Sequence, residues 1–375
     1  MKPRQEWTPK FSITPLMAQK LMEIEAAKAY FDHHPLPAAA EAELRHQARL
    51  RSTHYSTRIE GNRLTLAETA NAIEEKRTFR GRERDVKEVQ NYWNALIQME
   101  RWADSGTPMT EDLVRRLHAL VEKGPRAKAT PYRKGQNVIR DSRAGTIVYL
   151  PPEAKDVPAL MASLVGWCRK AEKDHLPVPI LAGLAHYQFV TIHPYLDGNG
   201  RTARLLATFL LFRGGYGLQG FFSLEEHHAQ NLPAYYQALA VHPHHNYYEG
   251  RESADLTLWL DYFLLTLSEV FAATREQAVR CQSDQTEEPA TLSKLDPRAR
   301  TVFGLFARQE TVSTHQMAQA LGLSDRMVRV LISKWVQQDF LCPTSSSRRG
   351  RSYALSAIYR KSIGNASATG QRTRK

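Results

Sequence analysis

The sequence predicts a mainly α-helical fold with a β-hairpin in its core and a separate domain at its C-terminus. Apolar side chains recur at helical spacing through much of the chain, for example from Pro15 to Phe31 and from Asp85 to Trp102. Between Gln136 and Leu150 the spacing changes to the alternation of a strand-turn-strand segment. A polar and acidic stretch at residues 282–288 then interrupts the helical pattern, which is typical of a linker.

The composition is ordinary for a soluble globular protein. Of the 375 residues, 42% are hydrophobic and 24% are charged. The three cysteines, Cys168, Cys281 and Cys342, are scattered, which indicates reduced thiols in a cytosol. The first eleven residues lack the apolar run of a signal peptide, and no apolar run is long enough to span a bilayer. We therefore expect a cytoplasmic protein that does not bind membranes.

Residues 191–204 hold the side chains on which a functional prediction depends. Apolar helices are expected before them, from Val178 to Val190, and after them, from Leu205 to Phe212. Pro194 and the Gly198-Asn199-Gly200 cluster break the helix, so that a second helix begins near Asn199 or Gly200. The free N–H groups of a helix start attract anions, and glycines let the backbone approach a phosphate closely.

The side chains of this stretch fit the transfer of a phosphorus group onto a hydroxyl. Arg201 and Arg204 are three residues apart, hence on one helix face, and guanidinium groups suit phosphate oxygens. Asp197 can link Mg²⁺ to phosphate, and His193 can accept a proton from a hydroxyl. The alternative is a buried helix-loop-helix with a structural histidine. All of these residues together at this spacing favour the chemical interpretation.

Residues 193–204 resemble the Fic family motif His-Pro-Phe-x-Asp-Gly-Asn-Gly-Arg-x-x-Arg, with Tyr195 in place of the Phe. Fic proteins are mainly protein adenylyltransferases, which transfer AMP from ATP to a protein hydroxyl. The resemblance implies that His193 is the general base and that Asp197 holds Mg²⁺. It also implies an ATP-phosphate site formed by Asp197, Gly198, Asn199, Gly200, Arg201, Thr202, Ala203 and Arg204, with the Asn199 side chain among the phosphate ligands.

A second stretch, residues 51–62, follows a predicted helical segment from Ala38 to Leu50. Gly61 and Asn62 suit a left-handed helix C-cap, which leaves Glu60 in the last helical turn, where the helix dipole disfavours an acid. Ser56 and Glu60 resemble the Ser/Thr-x-x-x-Glu-Gly/Asn inhibitory helix of Fic proteins. In that family the glutamate pairs with the second motif arginine, here Arg204. A solvated surface glutamate is the alternative.

Two further segments resemble family elements near the nucleotide. The hairpin resembles the flap that holds a target peptide by strand addition, and its residues Thr146, Ile147, Val148 and Tyr149 match the segment near the nucleotide. Residues 231–239 resemble the family helix Asn-x-x-x-Tyr-Tyr-x-x-Leu, whose first tyrosine, here Tyr235, lies by the nucleotide. Aromatic pairs are more often part of a core, which is the alternative for Tyr235.

The C-terminal segment carries almost all of the net charge. Residues 291–375 contain 15 basic and 4 acidic residues, a balance of +11 out of +12 for the whole chain. Helices expected at Leu295–Arg308, Thr314–Leu321 and Asp325–Gln338, followed by a hairpin at Phe340–Leu355, give the order of a winged helix. Basic residues that suit phosphate lie on its third helix and at its wing tip: Arg326, Arg329, Lys334, Arg348, Arg349 and Arg351. DNA and a protein both stay open as its ligand.

These features predict a division into five segments. They are a helical region at 1–109 with the inhibitory helix at about 51–62, a Fic core at 110–280, a linker at 281–294, a winged helix at 295–360 and a disordered tail at 361–375. The resemblance implies AMP transfer to Ser, Thr or Tyr hydroxyls of proteins, the chain itself included, with autoinhibition by Glu60. The alternatives are removal of AMP from modified proteins and a DNA-binding regulator whose core senses nucleotide. ATP and a target protein are the expected partners, while DNA and a homodimer stay open.

Overall fold

The computed structural model describes residues 6–140, 145–283, 295–296, 298–306, 309–321, 323–344 and 352–360. The described residues form two compact units, one within residues 1–30 and 48–273, the other within 31–47 and 274–375. None of the described helices has the length and apolar character needed to cross a membrane. The inclusion of residues 31–47 in the second unit has no counterpart in the predicted division of the chain.

The elements up to residue 283 are mainly helices, as predicted. The two strands that interrupt them are β1 (Ile139–Arg140) and β2 (Ile147–Tyr149). The helices are α1 (Pro15–His33), α2 (Ala38–Ile59), α3 (Leu66–Glu74), α4 (Glu83–Asp104), α5 (Glu111–Lys123), α6 (Val157–Lys173), α7 (Val178–Ile192), α8 (Asn199–Leu211), α9 (Leu224–Gln230), α10 (Leu232–Leu239) and α11 (Thr257–Ser283). Short helical turns lie at Phe212–Tyr216, Leu218–Gly220, Tyr247–Glu249 and Arg251–Ser253.

Local signals explain where several helices begin. Thr65 caps α3 and forms a capping box with Glu68, and Thr110 caps α5 by accepting a hydrogen bond from the N–H of Leu113. The helical segments predicted at 38–50 and about 51–62 form one continuous helix, α2, through a sequence that contains neither Gly nor Pro.

The end of α2 follows the predicted stop signal. Gly61 has a φ of 92°, the left-handed conformation that glycine adopts without strain. The N–H of Gly61 donates to the carbonyl of Arg58, and the N–H of Asn62 donates to that of Thr57, which closes the last turn. Glu60 therefore lies at the C-terminal end of α2, as predicted.

Helix α7 is the buried centre of the first unit. It is buried along almost its whole length and packs against α6 and α8. Gly183 allows a close approach of α11, since a Cβ at this position would lie 2.8 Å from the Phe263 ring. The Trp259 indole N–H donates to the Gly183 carbonyl over 2.8 Å. These contacts fix the helix whose end carries the loop at 193–198.

The predicted hairpin forms, but its strands are shorter than expected. Strands β1 and β2 are antiparallel, with Ile139 opposite Tyr149, and the turn at 141–144 lies outside the described residues. The Tyr149 hydroxyl donates to the Thr191 carbonyl over 2.6 Å. This bond ties the hairpin to the last turn of α7, close to the loop that follows it.

The second unit contains the predicted order of helices and strands. After residue 297 its described elements are α12 (Arg298–Leu305), β3 (Val312–Ser313), α13 (Thr314–Leu321), α14 (Asp325–Gln337), β4 (Leu341–Pro343) and β5 (Ser352–Leu355). The strands form an antiparallel sheet in the order β3-β5-β4. Strand β3 was not predicted, because two residues are too few to show alternation.

The core of this unit lies under α14. Val328, Ile332 and Trp335 are buried there, while Leu331 is only partly buried. The wing-tip residues Arg348, Arg349 and Arg351, most of the linker, and the tail at 361–375 lie outside the described residues.

Candidate functional site

The predicted helix-loop-helix is present at residues 178–211, and one asparagine closes its loop. Asn199 is buried, its Oδ1 accepts from the N–H of Tyr195 over 2.9 Å, and its Nδ2 donates to the Tyr195 carbonyl over 2.8 Å. The side chain therefore fixes the loop instead of pointing outward as the predicted phosphate ligand. Gly198, with a φ of 75°, makes the turn into α8.

Two stacked rings, of Tyr195 and His118, support the loop at 193–198 on its buried side. Tyr195 is buried and its ring lies 3.6 Å from that of His118, centroid to centroid. Burial lowers the pKa of His118 to about 4, so this imidazole is neutral at pH 7. Its Nε2 lies 2.9 Å from the Asp197 carbonyl, where it must act as the donor. Tyr195 thus serves as the aromatic anchor that Phe provides in the motif.

His193 has a left-handed backbone, held in place by a buried arginine. Its φ and ψ are 53° and 59°, a conformation that residues other than glycine adopt at some cost. Arg133 donates from its side-chain Nε to the His193 carbonyl over 2.9 Å. The backbone N–H of Arg133 donates to the Pro194 carbonyl over 2.9 Å. Further bonds run from the same guanidinium to the carbonyls of Gly135 and Pro152. Arg133 therefore joins the loop to the segments that flank the hairpin.

The imidazole of His193 is arranged as a neutral proton acceptor. Its Nδ1 lies 3.2 Å from the Val190 carbonyl, which can only accept, so the proton resides on Nδ1 and Nε2 keeps its lone pair. Burial lowers the pKa of His193 to about 4, although the Val190 carbonyl and the charge of Glu60 oppose this change. The ring is consequently uncharged at neutral pH.

The first motif arginine, Arg201, is buried beside a glutamate that sequence reasoning missed. Its Nη2 lies 2.7 Å from Oε1 of Glu122 and 3.4 Å from Oδ1 of Asp197. The Glu122 carboxylate also packs against Gly198, where a Cβ would lie 2.4 Å from Oε1. A side chain at position 198 would therefore displace Glu122 from Arg201.

Asp197 is the exposed carboxylate of the loop. Its side chain is 60% exposed, and Oδ1 accepts from the N–H of Gly198 over 2.6 Å. Arg84 approaches Oδ2 to 3.4 Å. No cluster of three or more His, Cys, Asp or Glu side chains suited to a metal occurs among the described residues. A cation on Asp197 would need oxygens from a ligand and from water, which is how Mg²⁺ is commonly held.

The second motif arginine, Arg204, is buried against the end of α2. Its Nε donates to the Ser56 hydroxyl over 3.0 Å, and its Nη2 donates to the Ser56 carbonyl over 2.8 Å and to Oε1 of Glu60 over 2.9 Å. Burial by itself would lower the pKa of Arg204, but the neighbouring Glu60 charge raises it above the usual value. The predicted pairing of Glu60 with Arg204 is present in the structure.

Glu60 also lies at the start of α8. A Cβ on Gly200 would lie 2.2 Å from Oε1 of Glu60, so this carboxylate rests directly on the first turn of that helix. The position is unfavourable for the dipole of α2 and favourable for that of α8, whose first N–H groups attract negative charge. Arg204 and the α8 start together compensate for the placement of an acid at the end of α2.

The remaining predicted residues divide into buried and exposed groups. Thr202 and Ala203 are fully buried, and the backbone N–H of Thr202 donates to the Gly198 carbonyl over 2.9 Å, so neither residue is open to a ligand here. Tyr235 is also buried, and its hydroxyl lies 2.9 Å from Nε2 of His186, which is buried as well. Both Tyr235 and its neighbour Tyr236 interact with Arg204 and Glu60, but Tyr236 is 50% exposed, so its ring is the one that a ligand can reach.

The flap residues differ in the same way. Thr146, Ile147 and Val148 are exposed, while Tyr149 is buried and acts as the tie to α7. Asn137, at the base of the hairpin, donates from Nδ2 to the Tyr195 carbonyl over 3.1 Å and so links the flap to the loop.

Arg84, Glu122 and Arg133 are site residues that sequence reasoning did not identify. Each lies on a different segment, and none forms part of a spaced motif. Their position beside the loop results from tertiary packing, of the helices α4 and α5 for Arg84 and Glu122 and of the segment before the hairpin for Arg133, which a single sequence does not reveal.

Comparisons with known proteins agree on one family. Residues 108–211 match the model of the Fic/DOC family. A curated protein named protein adenylyltransferase Fic, from Culex quinquefasciatus, is 32% identical over 173 residues, which are 45% of this chain and 33% of that protein. The chain thus spans about a third of the length of the curated relatives it matches.

Solved structures resemble a larger part of the chain. A Fic family protein from Desulfovibrio desulfuricans G20 is 26% identical, with a TM-score of 0.59, and the alignment covers 94% of this chain and 99% of that one. A Fic domain containing signaling protein from Bacteroides thetaiotaomicron VPI-5482 is 24% identical, with a TM-score of 0.58 over 73% of this chain. The mainly helical fold is shared with both.

The lowered pKa of His193 predicts its behaviour in an NMR titration. Its ring signals should stay constant from pH 8 to about pH 5.5 and change only as the pH approaches its pKa of about 4. Because the unfolded chain binds this proton near pH 6.5, burial of His193 should also make the folded state more stable as the pH rises from about 4 to about 6.5. The His193→Ala variant assigns the signal. A titration midpoint near the ordinary value of about 6.5 would contradict the burial of this ring.

Proposed function

We propose that this chain, whose residues 108–211 belong to the Fic/DOC family, is a protein adenylyltransferase that moves AMP from ATP to a Ser, Thr or Tyr hydroxyl of a target protein. The observation that carries the proposal is the arrangement around one helix start. His193 keeps a free Nε2 at the end of α7, and Gly198 to Gly200 open α8 at its positive end. Arg201 and Arg204 follow on the same helix.

The chemistry that this arrangement supports is an in-line displacement at the α-phosphorus of ATP. His193 accepts the proton of the target hydroxyl at Nε2, the hydroxyl oxygen bonds to the α-phosphorus, and the bond to the β-phosphate oxygen breaks, which releases pyrophosphate. The backbone N–H groups at the start of α8 and the two arginines hold the phosphates. A magnesium ion, when bound, neutralises phosphate charge, and the exposed Asp197 carboxylate would hold it.

The flap supports a protein as the acceptor. Thr146, Ile147 and Val148 are exposed. Within the described residues β2 pairs with β1 on one edge, while the next residue, Leu150, is bridged to Asn246, which leaves the other edge open at residues 146–148. An extended target segment can add to the other edge through backbone hydrogen bonds, which demand little of its sequence. The Tyr149 bond to Thr191 then keeps the flap in register with His193.

Glu60 is proposed to inhibit this activity. Its carboxylate binds the Arg204 guanidinium and covers Gly200, which are the groups that a triphosphate needs. The γ-phosphate would have to displace it, and a triphosphate that binds without Arg204 is misaligned. A misplacement of about 1 Å can lower the rate by roughly a hundredfold. Removal of AMP from modified proteins uses the same residues and is an outcome of the test below.

A second function, DNA binding, is favoured by the exposed face of α14. Arg326, Arg329 and Lys334 are exposed on this helix, and Val330 between them is 70% exposed. Basic residues bind the phosphate backbone, and exposed apolar side chains can contact the methyl group of thymine. A duplex that receives α14 in its major groove would meet both kinds of side chain.

Substitution of His193 tests the catalytic proposal. In a Glu60→Gly background, His193→Ala should lower AMP incorporation by about 10²–10⁴-fold, because the general base is lost. ATP binding measured by calorimetry should remain, since the phosphates are held by other groups. Unchanged incorporation of labelled AMP by this variant would contradict the role of His193.

Substitution of Glu60 tests autoinhibition. Glu60→Gly should incorporate more labelled AMP than the wild type, because Arg204 becomes available to phosphate, and the further change Arg204→Ala should lower the signal again. Arg58→Gly is the matched control, since this exposed residue lies in the same last turn. Equal labelling by wild type and Glu60→Gly would reject autoinhibition. Loss of AMP removal in Glu60→Gly, with a pre-modified substrate, would favour the reverse reaction.

Charge removal on α14 tests DNA binding. The triple variant Arg326→Ala, Arg329→Ala and Lys334→Ala should bind a short duplex more weakly in fluorescence anisotropy. The slope of log affinity against log salt should become shallower by about one for each phosphate that the variant no longer neutralises.

The control removes the same charge from another exposed helix, α6, at Arg169, Lys170 and Lys173. Its affinity and salt slope should equal those of the unmodified chain. Absence of measurable affinity in the unmodified chain at low salt would instead make α14 a protein contact.

A further inference from the structure

The last turns of α2 are held in place mainly by polar side chains. Between Ala48 and Ile59 the buried polar residues are Ser52, Thr53, His54, Ser56 and Thr57. The larger buried apolar side chains of the same stretch are Leu50 and Ile59. If such a helix end undocked, it would exchange hydrogen bonds with water and would expose little apolar surface beyond Leu50 and Ile59. Its docking therefore depends on particular hydrogen-bond partners.

Three of its residues form a polar stripe, Ser52, Ser56 and Glu60, spaced four residues apart and therefore on one face. Ser56 and Glu60 both contact Arg204. Ser52, one turn earlier, donates from Oγ to Oε2 of Glu225 over 2.9 Å. The polar stripe thus has two buried hydrogen-bonding partners, the Arg204 guanidinium and the Glu225 carboxylate.

Glu225 is a buried acid that joins three elements. It is 1% exposed and lies in the first turn of α9, where the helix dipole favours negative charge. Besides Ser52, it accepts from the Tyr92 hydroxyl of α4 over 3.0 Å and from the Ser223 hydroxyl over 3.2 Å. The next residue, Glu226, pairs with Arg51 of α2 over 3.3 Å. The acidic side chains at the start of α9 therefore bind the end of α2.

We propose that Glu225 is a positioning residue that docks the last turns of α2 and thereby places Glu60 on Arg204. This inference rests on the proposed autoinhibition by Glu60. A hydrogen bond from a hydroxyl to a carboxylate is stronger than one between neutral groups, and its loss leaves a buried acceptor unsatisfied. Weakening the Ser52–Glu225 hydrogen bond shifts the end of α2 toward an undocked state, in which Arg204 is free to bind phosphate.

The expected size of the effect follows from one charge-assisted hydrogen bond. Removal of the Ser52 hydroxyl should shift the ratio of docked to undocked helix by about tenfold. Glu225→Gln keeps the shape of the side chain and removes its charge, so it should act in the same direction. Neither residue touches His193 or the loop that follows it, which separates their effect from the chemistry.

The experiment compares Ser52→Ala and Glu225→Gln with a matched control. Ser268→Ala is suitable, because Ser268 is also buried and donates to a glutamate of another helix, Glu23, over 2.6 Å. Hydrogen exchange of the amides at 52–62 reports on docking without any need for activity. Incorporation of labelled AMP, with and without Glu60→Gly, reports on inhibition.

We expect amide exchange at 52–62 to become about tenfold faster in Ser52→Ala and Glu225→Gln and to stay unchanged in Ser268→Ala. Labelling should rise in both variants, whereas in a Glu60→Gly background neither Ser52→Ala nor Glu225→Gln should raise it further. Unchanged exchange at 52–62 in Ser52→Ala would overturn the positioning role, even if Glu225→Gln does not fold. Faster exchange with no rise in labelling by these variants or by Glu60→Gly would leave the docking role standing and reject autoinhibition.

Discussion

The buried guanidinium of Arg204 requires an anionic partner, and much of the site depends on which anion binds to it. An arginine this deeply buried is strongly destabilising when its charge is unpaired. In the structure the partner is Glu60, assisted by the hydroxyl and carbonyl of Ser56. A phosphate can replace this carboxylate with similar geometry, because both present oxygens to the same donors. Under the proposed autoinhibition, occupation of Arg204 by one of them excludes the other.

The placement of Glu60 results from two helix ends that meet. The C-terminal end of α2 disfavours the acid, while the N-terminal end of α8 and Arg204 favour it. The contact persists because α2 is anchored one and two turns earlier, at Ser56 and Ser52. The reactive loop is held independently, through Asn199, Arg133 and His118. Departure of the α2 end therefore leaves the loop supported.

Local signals in the sequence predict local structure well here. The helix break at Pro194, the stop at Gly61 and the caps at Thr65 and Thr110 each depend on a few neighbouring residues, and each is present. The resemblance of residues 193–204 to a known motif supplied the site residues, and the pairing of Glu60 with Arg204 is found as expected.

What sequence reasoning missed depends on tertiary packing. Asn199 was assigned to phosphate, yet it bonds to the backbone of Tyr195, which only the folded loop brings within reach. Glu122 and Glu225 meet their partners across helices, so no spacing in the sequence marks them. The most direct measurement of the central claim is a crystal structure of the unmodified chain with a non-hydrolysable ATP analogue. We predict that Arg204 stays bonded to Glu60 and that the γ-phosphate does not reach it; a γ-phosphate bound to Arg204 with Glu60 still at Gly200 would contradict the account.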